Sequence, residues 1–450
     1  MHTVTVPSAS AQPRESWLDR SLRVFGDVRA GEGFAVIVMF ANIMTLLIAY
    51  YILKTVREPL ILSAGGAELK SYAAAAQAAV LMLYVPAYSW LASSVPRRRL
   101  LVIVVLFFTA CIELFFLAGL GGMPYLGFAF FVWVGIFSLT VISQFWSYAN
   151  DVYQRADGER LFPLIAIGST LGAPIGAALA GLLFEAGVSA WALMQVAAVL
   201  MLAHLALYEV MIHRVTPRTP AAVTSAGAVK RSDGFALVFR SRYLLLIALL
   251  LVVLNVVNTT GEYILGRQVV DQAAAEARGN SAFDTAAYIG VFYGRYFFWV
   301  NTLTVVLQAL VVSRLVKYFG MAGALFAMPI VALGSYGLLV TGAGLAITRW
   351  SKTAENATDY SAMNTAKQML WLPTTREEKY SAKQAIDTFF VRGGDLLAAG
   401  VVFVGTWLEF SGPQFAGGNI AFIAIAFVLA IALAREYQHI SAKAPQTAPK

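Results

Sequence analysis

Residues 34–53 read FAVIVMFANIMTLLIAYYIL, a run without a single charged side chain. An α-helix rises 1.5 Å per residue, so about 20 apolar residues cross the hydrocarbon core of a bilayer. The run is typical of this chain of 450 residues, of which 59% are apolar and 13% are charged, with a mean hydropathy of +0.69. Soluble domains have about 25% charged residues. The sequence therefore predicts an all-α polytopic membrane protein.

Apolar runs of similar length recur to the end of the chain, separated by short polar segments. We predict twelve transmembrane helices, near residues 34–53, 71–94, 100–119, 124–149, 161–185, 190–212, 243–265, 285–313, 319–341, 344–371, 383–406 and 414–434. Residues 1–33 are polar and basic and contain no apolar core, so we expect no cleaved signal peptide.

The basic residues predict the orientation of these helices. With both termini in the cytoplasm, most of the 33 lysines and arginines fall in cytoplasmic segments, among them RRR at 97–99 and the loop at 213–242. The opposite loops GLGGMP, EAGVSA and TGAG have none. This asymmetry is the positive-inside pattern. The net charge of +8 is then a consequence of topology, and we expect no nucleic-acid partner.

The loop at 213–242 divides the predicted helices six and six, which is the plan of major facilitator transporters. We predict a cytoplasmic segment at 1–33, a six-helix half at 34–212, the central loop at 213–242, a second six-helix half at 243–434 and a cytoplasmic tail at 435–450. The halves echo each other weakly, because the first span ends in YYILKTVREP (50–59) and the seventh ends in EYILGRQVVD (262–271).

The tenth predicted span is much more polar than the others. Residues 349–371 read RWSKTAENATDYSAMNTAKQMLW. A charge facing lipid at the centre of a helix costs about 2.5–3.5 kcal/mol, so these side chains must face water or partners inside the protein. One helical stripe holds Lys352, Glu355 and Asp359. The adjoining stripe holds Asn356, Tyr360, Asn364 and Lys367.

Two interpretations of this span are open. The first is an internal ion pair between Lys352 and Glu355 that locks the helix. The second is one wall of a substrate cavity, which we favour because ionisable residues within membrane helices usually mark functional sites. The two interpretations are compatible, since a network of charges can also act as a gate.

Other charges lie within or at the ends of predicted spans. Lys54, Arg57 and Glu58 close the first span, where they are either interfacial anchors or part of a site. Arg295 lies within the aromatic stretch YIGVFYGRYFFWVN (288–301), and its guanidinium suits phosphate or carboxylate. The neighbouring aromatic side chains either stack on a ligand or simply pack. The remaining charges of this kind are Glu262, Asp387, Arg392 and Asp395.

Motifs of other protein classes are absent from the sequence. There is no GxxxxGK[ST] phosphate-binding loop and no HExxH or GxSxG motif. The single cysteine, Cys111, excludes an internal disulfide, and the four histidines show no metal-ligand spacing. We therefore expect no catalytic residues, metal or cofactor. Gly168, Gly172 and Gly176 repeat every four residues, which is typical of close helix packing.

Several stretches resemble the ATP/ADP translocases of plastids and intracellular bacteria, a family of the major facilitator superfamily. They are FWSYAN (145–150), ENATDYS (355–361) and AIDTFFVRGG (385–394). YILKTVRE (51–58) is similar to the end of that family's first helix, and Arg57 matches a basic residue that contributes to nucleotide transport. The resemblance implies a major facilitator fold and nucleotide exchange.

The chain departs from the pattern of that family at three positions. Val134 and Asn258 stand where the family has transport carboxylates, and Asp395 stands where it has a lysine. These departures change the charge that is available to a polyphosphate.

We therefore expect a secondary transporter with alternating access that exchanges nucleotides or a related small anionic solute, in a bacterial inner membrane with both termini cytoplasmic. The alternatives are a proton-coupled major facilitator carrier of another small molecule, with Glu355 or Asp359 as proton site, and a membrane enzyme or scaffold with an inert charge network. The predicted substrate-binding residues are Lys54, Arg57, Arg295, Lys352, Asn356, Tyr360, Lys367 and Arg392. The predicted gating or charge-pair residues are Glu58, Asn150, Asp151, Glu262, Glu355, Asp359, Asp387 and Asp395.

Overall fold

A computed structural model describes residues 15–214, 234–375 and 377–443. The described residues form helices and turns, with no strand among them. The α-helices are α1 (Trp17–Leu22), α2 (Gly33–Ser94), α3 (Arg97–Leu120), α4 (Leu126–Val152), α5 (Arg155–Glu185), α6 (Ala190–Arg214), α7 (Gly234–Arg240), α8 (Arg242–Gly279), α9 (Thr285–Val306), α10 (Ser313–Leu339), α11 (Leu345–Thr358), α12 (Asn364–Met369), α13 (Lys383–Ala385), α14 (Val391–Trp407) and α15 (Gly412–Lys443). π-Helical segments lie at Leu307–Val312, Asp359–Met363, Glu378–Ala382 and Ile386–Phe390.

Nine helical stretches of the described ranges are long and apolar enough to cross a membrane, so the protein is an integral multi-pass membrane protein. Two of these stretches, Gly33–Ala92 and Thr285–Leu339, have 60 and 55 residues, too many for one crossing. Each contains a backbone break, at Gly65–Gly66 and at Gly320. Gly66 and Gly320 adopt φ of 69° and 64°, a region that favours glycine.

The chain turns back on itself at the first of these breaks. Twelve residues of straight helix would separate Glu58 from Lys70 by about 18 Å along the axis, yet their carboxylate and ammonium are 2.8 Å apart. The polar α11 and α12 carry too many charged residues to count among the nine stretches. Splitting the two long stretches and adding this polar helix would give twelve crossings, and the count of twelve stays a prediction.

The N-terminal helices pack around α2, which contacts α4, α5 and α6. The contact with α5 uses Gly168, Gly172 and Gly176, as the sequence predicts: a Cβ on each would lie only 2.5–2.7 Å from a backbone carbonyl oxygen of α2. In the C-terminal part α8 packs against α14 and α15, and α10 packs against α11 and α15. The predicted domain boundaries stay predictions, and residues 1–14, 215–233 and 444–450 lie outside the described ranges.

The two groups of helices meet through α5 and α9, and through α2 with α8, α9 and α14. Gly181 of α5 and Gly294 of α9 pack closely, because a Cβ on Gly294 would lie 2.4 Å from the Gly181 Cα. Beside it, Arg295 and Glu185 form an ion pair with N and O 2.8 Å apart. We call this region, at the C-terminus of α5, the closed end. The opposite side, with the predicted basic loops, is the basic end.

At the basic end Asp19 fastens α1 to the start of α2. Its carboxylate accepts hydrogen bonds from the backbone amides of Ser16, Gly31 and Gly33 at 2.7, 3.1 and 2.7 Å. Burial opposes ionisation of Asp19, but these hydrogen bonds outweigh it and lower its pKa from 3.8 to about 2. The ionised carboxylate therefore stabilises the fold above pH 3.8, and this contribution is lost as the pH falls through about 2.

We expect Asp19→Asn to lower the unfolding temperature by roughly 2–4 °C at pH 7, because the charge that strengthens these hydrogen bonds is lost. The difference in unfolding temperature between Asp19→Asn and the wild type should become smaller only below pH 4. Thermal unfolding in detergent between pH 2 and pH 7 measures it. A difference that is constant with pH would contradict the role of the ionised carboxylate.

Candidate functional site

A cavity of about 170 Å³ lies between the two groups of helices. Of the residues that the sequence predicts as functional, Lys54, Arg57, Glu58, Glu262, Asn356 and Tyr360 line it. Its wall is completed by Lys70, Ser71, Ala74, Phe131, Asn258, Thr259, Tyr263 and Phe297. The lining thus combines charged, aromatic and hydroxyl side chains from α2, α4, α8, α9, α11 and the π-helical segment after it.

A chain of alternating charges runs along one wall and joins the two groups of helices. Glu58 is fully buried and pairs with Arg57 at 2.6 Å and with Lys70 at 2.8 Å. Lys70 also reaches Glu262 of α8 at 3.6 Å and donates to the Tyr293 hydroxyl of α9 at 3.4 Å. A carboxylate of α2 is thereby linked through one ammonium group to side chains of α8 and α9.

Glu262 is also held by neutral partners on α9 and α11. Its Oε1 accepts hydrogen bonds from the Tyr296 hydroxyl at 2.8 Å and from the Asn356 amide at 2.9 Å. Asn356 in addition donates to the Tyr296 hydroxyl at 2.7 Å. The polar helix α11 therefore contributes Asn356 to the cavity wall as a support for Glu262.

Lys54 differs from the other cations of the cavity. Its ammonium lies 4.5 Å from the ring centre of Phe297 and 5.1 Å from that of Tyr51. Within the described ranges no carboxylate forms an ion pair with it. Arg57 has both kinds of partner, because its guanidinium pairs with Glu58 and stacks on Phe131 at 4.1 Å. Lys54 is thus a cation held by aromatic rings and facing the cavity.

Lys352 and Glu355 form the intrahelical ion pair that the first interpretation of this span describes, at 3.0 Å and with 1% and 0% of their side chains exposed. Lys352 also donates to Asn258 Oδ1 at 2.8 Å, and Tyr336 donates to Glu355 at 3.3 Å. The pair lies behind the cavity wall, so the placement of Lys352 does not fit the predicted contact with substrate. The cavity interpretation instead suits the adjoining stripe, Asn356 and Tyr360.

Arg295 does not line the cavity either. It lies at the closed end, 54% exposed, and pairs with Glu185 of α5. The next residue, Tyr296, donates to Glu262 of the cavity wall, whereas the partner of Arg295 is Glu185. The predicted substrate contact of Arg295 does not fit this placement.

The other predicted residues form local pairs and are not among the residues that line the cavity, but Asp395 accepts a hydrogen bond from Thr259 of the lining at 3.3 Å. Lys367 pairs with Asp359 at 3.3 Å, and Arg392 pairs with Asp395 at 3.4 Å. Asp395 also accepts a hydrogen bond from Asn255 of α8 at 2.8 Å.

The last three predicted gating residues lie nearer the basic end. Asp387 pairs with Lys383 at 3.1 Å. Asn150 lines a separate surface pocket with Trp146 and Gln154, and Asp151 is exposed beside it. Asn150 and Asp151 follow Phe131 of the cavity lining by about 20 residues of α4, which is about 30 Å along the helix axis.

Lys70, which links Glu58 to Glu262, is a site residue that the sequence pattern did not predict. A signal was present, because the pair Gly65–Gly66 marks a turn and a turn there brings the next helix back towards Glu58. Asn258 was noticed as a departure from the family pattern, and it accepts the hydrogen bond from Lys352. Val134, which stands at the other position where the family has a carboxylate, is fully buried in the core and does not line the cavity.

Comparison with known proteins agrees with this geometry. Residues 126–435 match the model of the TLC ATP/ADP transporter family, which is more than half of the chain. The chain belongs to this family. Among the relatives of this TLC-family protein, "ADP,ATP carrier protein 1" of Chlamydia trachomatis serovar D is 23% identical over 59% of this chain and 57% of the relative. The protein of the same name from Chlamydia pneumoniae is 26% identical over 61% and 60%.

The TLC-family protein thus spans about 60% of the length of these curated relatives. Solved structures with the same fold include the nucleoside transporter NupG, with a TM-score of 0.64 and 12% identity over 89% of this chain and 99% of that one. A peptide transporter POT in complex with sulfate has a TM-score of 0.63 and 14% identity over 94% and 99%. These structural likenesses confirm the predicted major facilitator fold. The family match over residues 126–435 confirms the family resemblance.

Proposed function

We propose that this TLC-family protein is a secondary transporter that exchanges nucleotides across the membrane by alternating access and has no enzymatic activity. The supporting observation is the cavity between the two groups of helices, into which both groups extend charged and aromatic side chains. Its cations suit the phosphate of a nucleotide, and its aromatic rings suit the base. The family membership and the names of the relatives support the choice of nucleotides.

In this proposal Lys54 and Arg57 bind the phosphate, because no carboxylate of the described residues pairs with Lys54 and Arg57 presents a planar guanidinium. Tyr360 and Phe297 face the same space and would hold the base. The cavity is smaller than the roughly 300–1,000 Å³ of most small-molecule pockets. A nucleotide therefore requires the cavity to widen as the two halves move, which links binding to alternating access.

The network of Glu58, Lys70 and Glu262 would couple the substrate to that movement. Phosphate near Arg57 competes with Glu58 for the guanidinium and weakens the chain of charges that joins the halves. We place the closed end outside and the basic end in the cytoplasm of a bacterial inner membrane, with both termini inside, because cytoplasmic loops collect basic residues. The structure then corresponds to a state closed towards the outside.

The proposal is tested by uptake of labelled nucleotide into proteoliposomes that contain AMP, ADP, ATP or no nucleotide. We expect internal nucleotide to stimulate uptake, and Lys54→Met to reduce the stimulated rate by at least about tenfold, which is the loss of one favourable ionic contact. The matched control is Lys317→Met, because Lys317 also lies over an aromatic ring, Tyr318, but is exposed and outside the cavity. Uptake that is independent of internal nucleotide, or equal loss in both variants, would contradict the proposal.

A proton-coupled carrier is the second candidate, and one observation favours it. The Oε2 atom of Glu355 is buried and has no hydrogen-bond partner among the described residues. Protonation of this atom would therefore break no described hydrogen bond. Uptake of nucleotide driven by an imposed pH gradient into empty vesicles, abolished in Glu355→Gln, would support this candidate over exchange.

A further inference from the structure

Resting on the proposed function, we propose that the cavity selects nucleotides by their charge, prefers nucleoside monophosphates to di- and triphosphates, and that Lys54 and Glu262 set this preference. The inference comes from the charges that face the cavity and from the partners that hold each of them.

The cavity lining carries a surplus of one positive charge. Its cations are Lys54, Arg57 and Lys70, and its anions are Glu58 and Glu262. Glu58 is fully buried between Arg57 and Lys70, at 2.6 and 2.8 Å. Two of the three cations are therefore already compensated before a substrate enters, and the surplus charge corresponds to Lys54.

Three ion pairs of the described residues near the lining do not alter this surplus, because each joins charges of opposite sign. The ion pairs are Lys352–Glu355, Arg392–Asp395 and Lys367–Asp359. At the closed end Glu68 accepts a hydrogen bond from the Tyr263 hydroxyl at 2.8 Å, and Arg267, which donates to the Phe410 carbonyl oxygen at 2.9 Å, carries the opposite charge. These groups therefore add no net charge to that of Lys54.

A substrate in this cavity leaves water and must be compensated by the protein. A phosphate monoester carries about −1.5 to −2 charges at pH 7, and each further phosphate adds about one more. With one surplus cation, a nucleoside monophosphate leaves about one charge uncompensated, whereas ATP leaves about three. Uncompensated charge away from water is strongly unfavourable. The cavity therefore favours the nucleotide of lowest charge.

Glu262 offers a way to change the surplus without changing the shape of the site. A glutamine at this position keeps a carbonyl oxygen that can accept the hydrogen bonds from Tyr296 and Asn356 and removes one negative charge. Glu262→Gln then raises the surplus from one to two. Lys54→Met keeps an unbranched side chain against Phe297 and Tyr51 and lowers the surplus to zero.

The experiment measures how unlabelled AMP, ADP and ATP each inhibit exchange of labelled AMP in proteoliposomes, with EDTA present so that no magnesium neutralises phosphate. In the wild type we expect AMP to inhibit at least about tenfold more strongly than ATP, a difference of ~1.4 kcal/mol. Glu262→Gln should reduce this ratio by about tenfold, and Lys54→Met should increase it. Lys317→Met should leave it unchanged.

Because the AMP-to-ATP inhibition ratio is measured within each variant, a smaller amount of folded protein does not change it. If Glu262→Gln does not fold, the ratio in the wild type and the ratio in Lys54→Met still test the inference. The inference would be overturned if ATP or ADP inhibited the wild type more strongly than AMP, or if neither substitution changed the inhibition ratio. Nucleotide exchange itself would not be contradicted by these results. Absence of exchange with every one of the three nucleotides would overturn the proposed function and the inference together.

Discussion

Gly294→Leu should reduce nucleotide exchange by at least about 100-fold, which corresponds to removal of one of the two states that alternating access needs. A Cβ at this position would lie 2.4 Å from the Cα and 2.7 Å from the backbone nitrogen of Gly181. Backbone atoms of two packed helices cannot yield as a flexible side chain can, so α5 and α9 must separate. Exchange in proteoliposomes measures the loss.

The matched control is Gly334→Leu in α10, because no atom of the described residues lies within 4 Å of a Cβ built there. We expect this control to exchange at nearly the wild-type rate. Equal activity of Gly294→Leu and Gly334→Leu would show that closure between Gly181 and Gly294 is not part of the transport cycle.

The same variant has a conformational readout that does not depend on transport. With Cys111 replaced by alanine, a cysteine in place of Ser71 reports access to the cavity, because Ser71 lines it. We expect a membrane-impermeant thiol reagent added at the closed end to label this cysteine much faster in Gly294→Leu than in its Gly294 parent. Unchanged labelling alongside lost exchange would indicate a defect in folding rather than a trapped open state.

Lys352→Met should lower the free energy of unfolding by about 3–5 kcal/mol, the usual effect of removing one partner of a buried ion pair. Glu355 is fully buried and its ion-pair partner is Lys352, at 3.0 Å. Without that ammonium group, the hydrogen bond from the Tyr336 hydroxyl is the one polar contact that the described residues provide to the carboxylate. Chemical denaturation in detergent, followed by tryptophan fluorescence, measures the change.

The double variant Lys352→Met/Glu355→Gln should recover most of the lost stability, because it leaves no unpaired buried charge. Lys367→Met is the control, since Lys367 and Asp359 are 33% and 20% exposed and such pairs contribute about 0–1 kcal/mol. A double variant no more stable than Lys352→Met alone would mean that Lys352 acts through its hydrogen bond to Asn258 rather than through Glu355.

The resemblance to the transporter family came from short motifs in regions of very different roles. ENATDYS supplies Asn356 and Tyr360 to the cavity, whereas FWSYAN ends in Asn150, which lies at the basic end of α4. Motif similarity therefore predicted the family and the fold but could not separate the residues that line the cavity from those that hold helices in place.

The charged residues of α11 show which contacts helical spacing alone can predict. The spacing of Lys352 and Glu355 predicted an ion pair on one face, and the structure contains it. It did not predict that Lys352 and Glu355 would contact Asn258 and Tyr336 while Asn356 and Tyr360 of the adjoining stripe line the cavity. Which stripe meets which neighbour depends on the rotation of the helix in the bundle, and packing against several other helices sets that rotation.

The sequence by itself determined the membrane setting, the helical class and the approximate spans, because apolar length and the placement of basic residues act locally along the chain. Only the tertiary structure decided that Lys70 joins Glu58 to Glu262, that Arg295 pairs with Glu185, and that Lys54 lies against the rings of Phe297 and Tyr51. These partners come from different helices, and a charge within a membrane is defined by what lies a few ångströms away in space. The character of the site is therefore a property of the packed helices.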